Sequence, residues 1–132
     1  MSKQLINPTQ LVPPRGFNHG VLCSGGQTLF LAGQDATGAN GRIVPGDVVA
    51  QYEQVLLNLK AVVETAGGQT SDIVKLNIFV KDRDAYVSKL RELGRVHKTI
   101  FGDHYPAMAL FEVNAFFHSE ALIELEGFAY ID

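Results

Sequence analysis

Residues 121–130 alternate in hydrophobicity: Ala121, Ile123, Leu125, Gly127 and Ala129 fall on one side of an extended chain, and Leu122, Glu124, Glu126, Phe128 and Tyr130 on the other. The first set is small or aliphatic and suits close packing under helices. The second mixes two carboxylates with large apolar groups. Alternating polar residues often mean only a wet sheet face, but glutamate is a poor strand former, and the aromatic company of these two points to a more particular use.

The rest of the chain reads in the same way. Pro8, Pro13 and Pro14 leave residues 1–17 irregular. HGVLCSGGQTLFLAGQ predicts strands at 19–24 and 28–34, joined as a hairpin at Gly25-Gly26, because glycine takes positive φ without steric cost. ATGANGRIVPG is a loop. Asp47 then N-caps a helix carrying Val48, Tyr52, Val55, Leu59, Val62 and Ala66 at steps of four and three, closed by Gly67-Gly68. Ile73 to Val80 is a β-branched strand with Lys75 and Asn77 on one face. A second helix runs from near Asp84 to about Phe101 with Tyr86, Leu90, Leu93, His97 and Ile100 in one stripe, and Gly102 stops it. Strands at about 107–113 and 121–130 complete the order.

This order, β-β-α-β-α-β-β, is an α+β arrangement with one mixed sheet. Right-handed crossovers place both helices on the same face, so the opposite face is left bare. Besides the second set of the last strand, Met108, Leu110 and Glu112 are expected on the bare side, with Phe30, Ala32 and Gln34 on an earlier strand. A monomer would leave that apolar surface wet. A closed homo-oligomer with its sheets facing each other is therefore expected, with the carboxylates at or beside the interface.

Composition narrows the function. A chain of 132 residues with 46% hydrophobic residues is expected to form one domain, 1–132, with a real core. No apolar run approaches the ~20 residues of a membrane helix, and MSKQLINPTQ lacks the apolar centre of a signal peptide, so a cytoplasmic protein with no membrane partner is expected. Cys23 is the only cysteine, which excludes an internal disulfide and a thiolate metal cage and reads as a buried small hydrophobe. The formal charge is -3 and the 11 Lys and Arg are scattered, so nucleic acid is not an expected partner. His19, His97, His104 and His118 show no ligand spacing, and the loop glycines lack a phosphate-loop setting; no metal and no cofactor are expected. His97 falls on an apolar stripe and reads as a satisfied, partly buried histidine. No serine has the His and acid partners of a nucleophilic triad.

The segments LFLAGQ at 29–34, GRIVPGDVVAQYEQVLLNLKAVVETAGGQTSDIVKLNIFVKD at 41–82, FGDHYPAMALFEV at 101–113 and ALIELEGFA at 121–129 resemble the Rid (reactive intermediate deaminase, RidA/YjgF) family over most of the chain past residue 16. The resemblance implies a chorismate-mutase-like fold, a homotrimer, and small-molecule clefts between subunits. It also implies hydrolysis of imines formed from enamines such as 2-aminoacrylate, releasing ammonia and a 2-keto acid.

Carried onto this sequence, the family's water-orienting glutamate falls on Glu124 and its backbone contact on Gly33, where Ala32 replaces the family's serine. Its N-terminal aromatic, usually tyrosine, falls on Phe17. The main departure is Met108, in Pro106-Ala107-Met108, where deaminating members carry the arginine that grips the substrate carboxylate. Such a charge-assisted contact is worth roughly 1.5 to 3 kcal/mol, and methionine supplies neither charge nor donor. Leu110 stands where the family has cysteine. Arg15 is a candidate replacement cation from the neighbouring subunit, and either His104 or His118 is a candidate proton donor or anion contact at the cleft mouth. The expected function is an arginine-less Rid-type hydrolase acting on a larger or more apolar enamine. The alternative is a non-catalytic trimeric metabolite-binding or regulatory protein that kept the cleft. A ribonuclease role, attributed to some relatives, is disfavoured by the acidic balance.

Overall fold

The computed structural model describes residues 2–132. Its framework is a four-stranded mixed sheet of β3 (Gln27–Gln34), β6 (Ile123–Ile131), β4 (Ile73–Val80) and β5 (Ala107–Glu112), in that order. The last strand in sequence is thus inserted at the centre, antiparallel to both β3 and β4, while β4 and β5 run parallel. Helices α1 (Val48–Thr65) and α3 (Leu90–Phe101) share a core with Leu31, Leu76, Ile78, Val80, Ile123, Leu125 and Ala129 from one sheet face. The expected α+β class, with helices on one face of a mixed sheet, is the one observed. The other face keeps aromatic side chains in solvent: Phe30 is 73% exposed, Phe111 49% and Phe128 39%. They pair along the sheet, Phe30 edge-on to Phe128 at 5.2 Å and Phe79 stacked on Phe111 at 5.7 Å.

Helix α1 begins where the Asp47 carboxylate accepts from the Val49 and Ala50 amides, both at 3.1 Å, as its sequence predicts. The inward face is Val48, Tyr52, Val55 and Leu59, with Leu56 and Val63 buried in place of the expected Val62 and Ala66. Among the described residues no helix is long and apolar enough to cross a membrane.

Several expectations fail, each for a local reason. Residues 1–17 are not all irregular: β1 (Ser2–Ile6) forms ahead of the prolines and is tied down by an ion pair from Lys3 to Asp72. Gly25 and Gly26 both turn at positive φ, but β2 (Gly20–Ser24) pairs with β1 along its whole length instead of with β3. The glycine pair permits a reversal without dictating a partner, and β1 offers a complete five-residue one. The second helix is interrupted. A short α2 (Arg83–Val87), capped by Asp82, ends where Ser88 Oγ bonds back to Ala85 O at 2.8 Å and the Lys89 amide takes Tyr86 O three residues back. Cys23 is half-buried on β2.

The correction that matters most for function concerns β5. Its parallel register pairs Leu76 with Met108, Ile78 with Leu110 and Val80 with Glu112, and direct partners share a face. Met108 and Leu110 therefore pack against the helix-side core, not on the bare side, which takes Ala107, Ala109 and Phe111. Glu112 lies at the end of the same covered row, where it accepts from the Arg83 amide at 2.9 Å. Gln34 also changes sides, because a register shift between Leu31 and Gln34 pairs it with Leu125 of the core.

Candidate active site

The phase of β6 puts Glu124 on the uncovered face, opposite Phe79 of β4, half-buried in a shallow groove with Phe116, Phe117 and Glu126. The irregularity in β3 carries Gly33 up to the same carboxylate. A methyl group on Gly33 would overlap Glu124 Oε2, so a larger residue there would force the carboxylate to shift from its present position. Ala32 lies next to it, exposed, in a separate hollow with Phe30, Asn77 and Glu126.

Two residues beyond Gly33 stands Asp35, whose Oδ1 accepts from the Thr37 amide at 3.0 Å and the Thr37 hydroxyl at 2.5 Å. Its other oxygen accepts from His118 Nδ1 at 2.5 Å, leaving His118 Nε2 for another partner. Helix α1 holds both strands of this arrangement. Asn58 Nδ2 donates to the carbonyls of Asp35 and Thr37, and the buried Gln51 bridges Glu120 O and the Leu122 amide at 3.0 and 2.8 Å.

These positions set the protonation of the group. Burial, then the charges of Asp35 and Glu126, push the Glu124 carboxyl above its ordinary range, with His118 acting in the opposite direction. The hydrogen bond that His118 donates to Asp35 raises the His118 pKa. Burial works to raise Asp35, but the hydrogen bonds from Thr37 and His118 more than offset it and leave it lowered. Glu124 is thus a carboxyl that holds its proton more tightly than usual, beside an imidazole whose charged form is favoured by its own acid.

Met108, Leu110, Phe17 and Arg15 gather elsewhere. Asn18 fixes the N-terminal segment to the start of β5, its amide bonding Pro106 O at 3.0 Å and its side chain Tyr105 O at 2.6 Å. That places Arg15 and Phe17 at a recess of about 300 Å³ between β5 and α3, walled by Met108, Leu110, Leu90 and Leu93. Tyr52 and His97 also line it. His104 O can only accept, so His97 Nε2 carries the proton in their 2.8 Å bond; in the neutral ring Nδ1 then accepts from the Tyr52 hydroxyl at 3.3 Å. Burial lowers the His97 pKa and raises that of Tyr52, which keeps both neutral, and Tyr105 stacks on the imidazole at 4.7 Å.

The candidate residues thus form two groups on opposite sides of the sheet. Glu124, Ala32, Gly33 and His118 belong to the uncovered face, and Met108, Leu110, Phe17 and Arg15 to the recess, so Arg15 lies beside Met108 of its own chain. Asp35, Tyr52 and Gly94 join these groups without having been singled out from the sequence. Asp35 is 83 positions from its partner His118, and only its place after Gly33 hinted at it.

The family model for endoribonuclease L-PSP matches residues 9–131. The chain belongs to this family, also known as Rid or YjgF. A RutC family protein of Pyrococcus horikoshii is 36% identical over 106 residues, 80% of each chain. An Escherichia coli protein named 2-iminobutanoate/2-iminopropanoate deaminase is 35% identical over 107 residues, 79% of this chain and 80% of that one. Among solved structures, the Rid family protein YyfB from Yersinia pestis, described as of unknown function, superposes with a TM-score of 0.88 at 36% identity, covering 99% of this chain and 100% of that one. The Rid fold therefore extends over 99% of the chain, the β1–β2 pair included.

Proposed function

We propose that this Rid chain is a small-molecule hydrolase that deaminates an imine in clefts between the copies of a cytoplasmic homotrimer. The deaminase name of the Escherichia coli relative supports the reaction class. The observation that carries the reading is Glu124: a half-buried carboxyl with a raised pKa, seated against Gly33 and beside the Asp35–His118 pair. Because Met108 and Glu124 lie on opposite sides of the sheet, a cleft containing both needs a second copy, and the exposed Phe30, Phe111 and Phe128 offer the surface that would bring it in.

In this mechanism water gives a proton to Glu124 as its oxygen bonds to the imine carbon, and the nitrogen takes a proton from His118 Nε2. The amino alcohol then collapses. Glu124 returns its proton to nitrogen, the C–N bond breaks to release ammonia, and the hydroxyl proton passes to His118 as the carbonyl forms. Imine and water become carbonyl and ammonia, and both side chains end as they began. A carboxyl that must both take and give a proton near neutrality is served by the raised pKa.

The test is ammonia release from a panel of generated enamines, with Glu124→Gln as the control; full activity of that variant on the best substrate would remove the mechanism. Met108 favours one second reading, a trimeric binding protein that has lost turnover. A metabolite that raises the melting temperature and is recovered unchanged after long incubation would establish it. The endoribonuclease in the family's description finds little support in a chain of net charge -3 with no basic run.

A further inference from the structure

The recess beside Met108 is more than a gap left by packing. Gly94 lines it from the middle of α3, in ordinary helical conformation, and a methyl group added there would meet nothing within 4 Å outside the helix's own backbone. Glycine inside a helix is destabilising relative to alanine, and here neither a positive φ nor a close neighbour calls for it. What the glycine preserves is open volume. Among the polar groups that line it, His97 and Tyr52 are already engaged, both ring nitrogens and the Tyr52 proton being bonded, while Tyr86 and Tyr105 add hydroxyls but no charge. The interior therefore offers an anion hydroxyls but no cation. Arg15, at the mouth, is exposed and makes no hydrogen bond or ion pair within the described residues.

We infer that the recess binds the body of the ligand, and that the ligand is an amphipathic acid: a compact, ring-sized apolar body inside, and one anionic group left at the mouth against Arg15. This rests on the cleft reading given under the proposed function and names the substrate class for it. A volume of about 300 Å³ is at the lower end of ligand pockets, enough for one ring and its linker.

The test uses unreactive probes on the whole chain by calorimetry and thermal melting: 3-phenylpropionate, which has ring and charge, 3-phenylpropan-1-ol, which has the ring alone, and propionate, which has the charge alone. The expected order is the ring acid about tenfold tighter than the alcohol, with propionate silent at the same concentration. Arg15→Gln brings the ring acid to the affinity of the alcohol and leaves the alcohol unchanged. Gly94→Leu weakens both ring probes at least about tenfold without lowering the melting temperature of the free protein. Arg15 is exposed, so its arm stands even if Gly94→Leu fails to fold.

The inference is overturned by propionate matching the ring acid, by no ring probe binding at millimolar concentration, or by binding indifferent to Gly94→Leu. Ring probes that bind only after Phe117→Ser would also overturn it, since a neighbouring copy's ring would then be the occupant. So would a change of assembly state in Gly94→Leu, which would assign the glycine to a subunit contact. Binding of ring acids without hydrolysis of any imine supports the inference and removes the deaminase reading. Ammonia release that ignores both Arg15→Gln and Gly94→Leu sinks the inference and spares that reading.

Discussion

The two sides of one sheet carry opposite chemistry. On the uncovered side Glu124 lies in a shallow, open groove near the titratable Asp35–His118 pair, whose flanking backbone is held by side chains of α1. On the covered side Met108, Leu110 and Phe17 wall a recess whose polar groups are the hydroxyls of Tyr52, Tyr86 and Tyr105 and the His97 imidazole bonded to Tyr52, with Arg15 at its mouth. The first side can move protons, but its groove is the more open of the two. The second can enclose a small molecule but has nothing to attack it with. The proton-carrying groups and the apolar recess thus lie on different faces of the chain, and the exposed aromatics of the uncovered face are the surface through which copies would meet in the proposed trimer.

The comparison breaks most sharply at Glu124. Glu124→Gln is expected to lower ammonia release from the best enamine by about 10²- to 10⁴-fold. Binding of ring acids should survive in that variant, since the recess is untouched; calorimetry on the same preparation checks it. Next in size is Phe128→Glu on the uncovered face. Enclosing three new carboxylates in an assembly costs on the order of several kcal/mol per ion, so sedimentation should shift toward the monomer and turnover should fall with it. A variant that becomes monomeric yet stays active would show that one chain contains a whole site.

Asp35→Asn sharpens the polar side alone. His118 is protonated below its raised pKa and loses the proton as pH rises through it; Glu124 carries its charge above its own raised pKa. Removing the Asp35 charge lowers both, so the whole profile of kcat/KM should move to lower pH, losing activity on the alkaline side and gaining it on the acid side. A profile that only falls in height would mean that Asp35 positions the loop and nothing more. The smallest effect belongs to the recess. Gly94→Ala should stabilise α3 by about 0.5 to 1 kcal/mol, seen as a rise in melting temperature.

How much of this could be read from the chain differs strand by strand. The phase of β6 was legible because its two sets differ in character, small and aliphatic against acidic and aromatic, and the burial of Ile123, Leu125 and Ala129 follows it. The phase of β5 was not, because Ala107, Ala109 and Phe111 are as apolar as Met108 and Leu110. Its parallel partner is joined through helices, with no tight turn to fix the register. The N-cap of α1 could be read from Asp47, a local signal. The break after Val87 depended on one serine hydroxyl competing with the helix ladder. The Asp35–His118 pair, brought together only by the sheet order, left no local trace. Family resemblance supplied the candidate residues, but not the fact that they divide between two faces.

Subunit complementation tests that division most directly. Glu124→Gln destroys the polar half and keeps the recess; Gly94→Leu fills the recess and keeps Glu124. Each variant alone should release little ammonia, whereas a mixture dissociated and reassembled in equal parts should regain activity at roughly a quarter of its sites, those pairing an intact half from each chain. Recovery at that level is the result the account predicts. A fully exchanged mixture as inactive as its two components would contradict it.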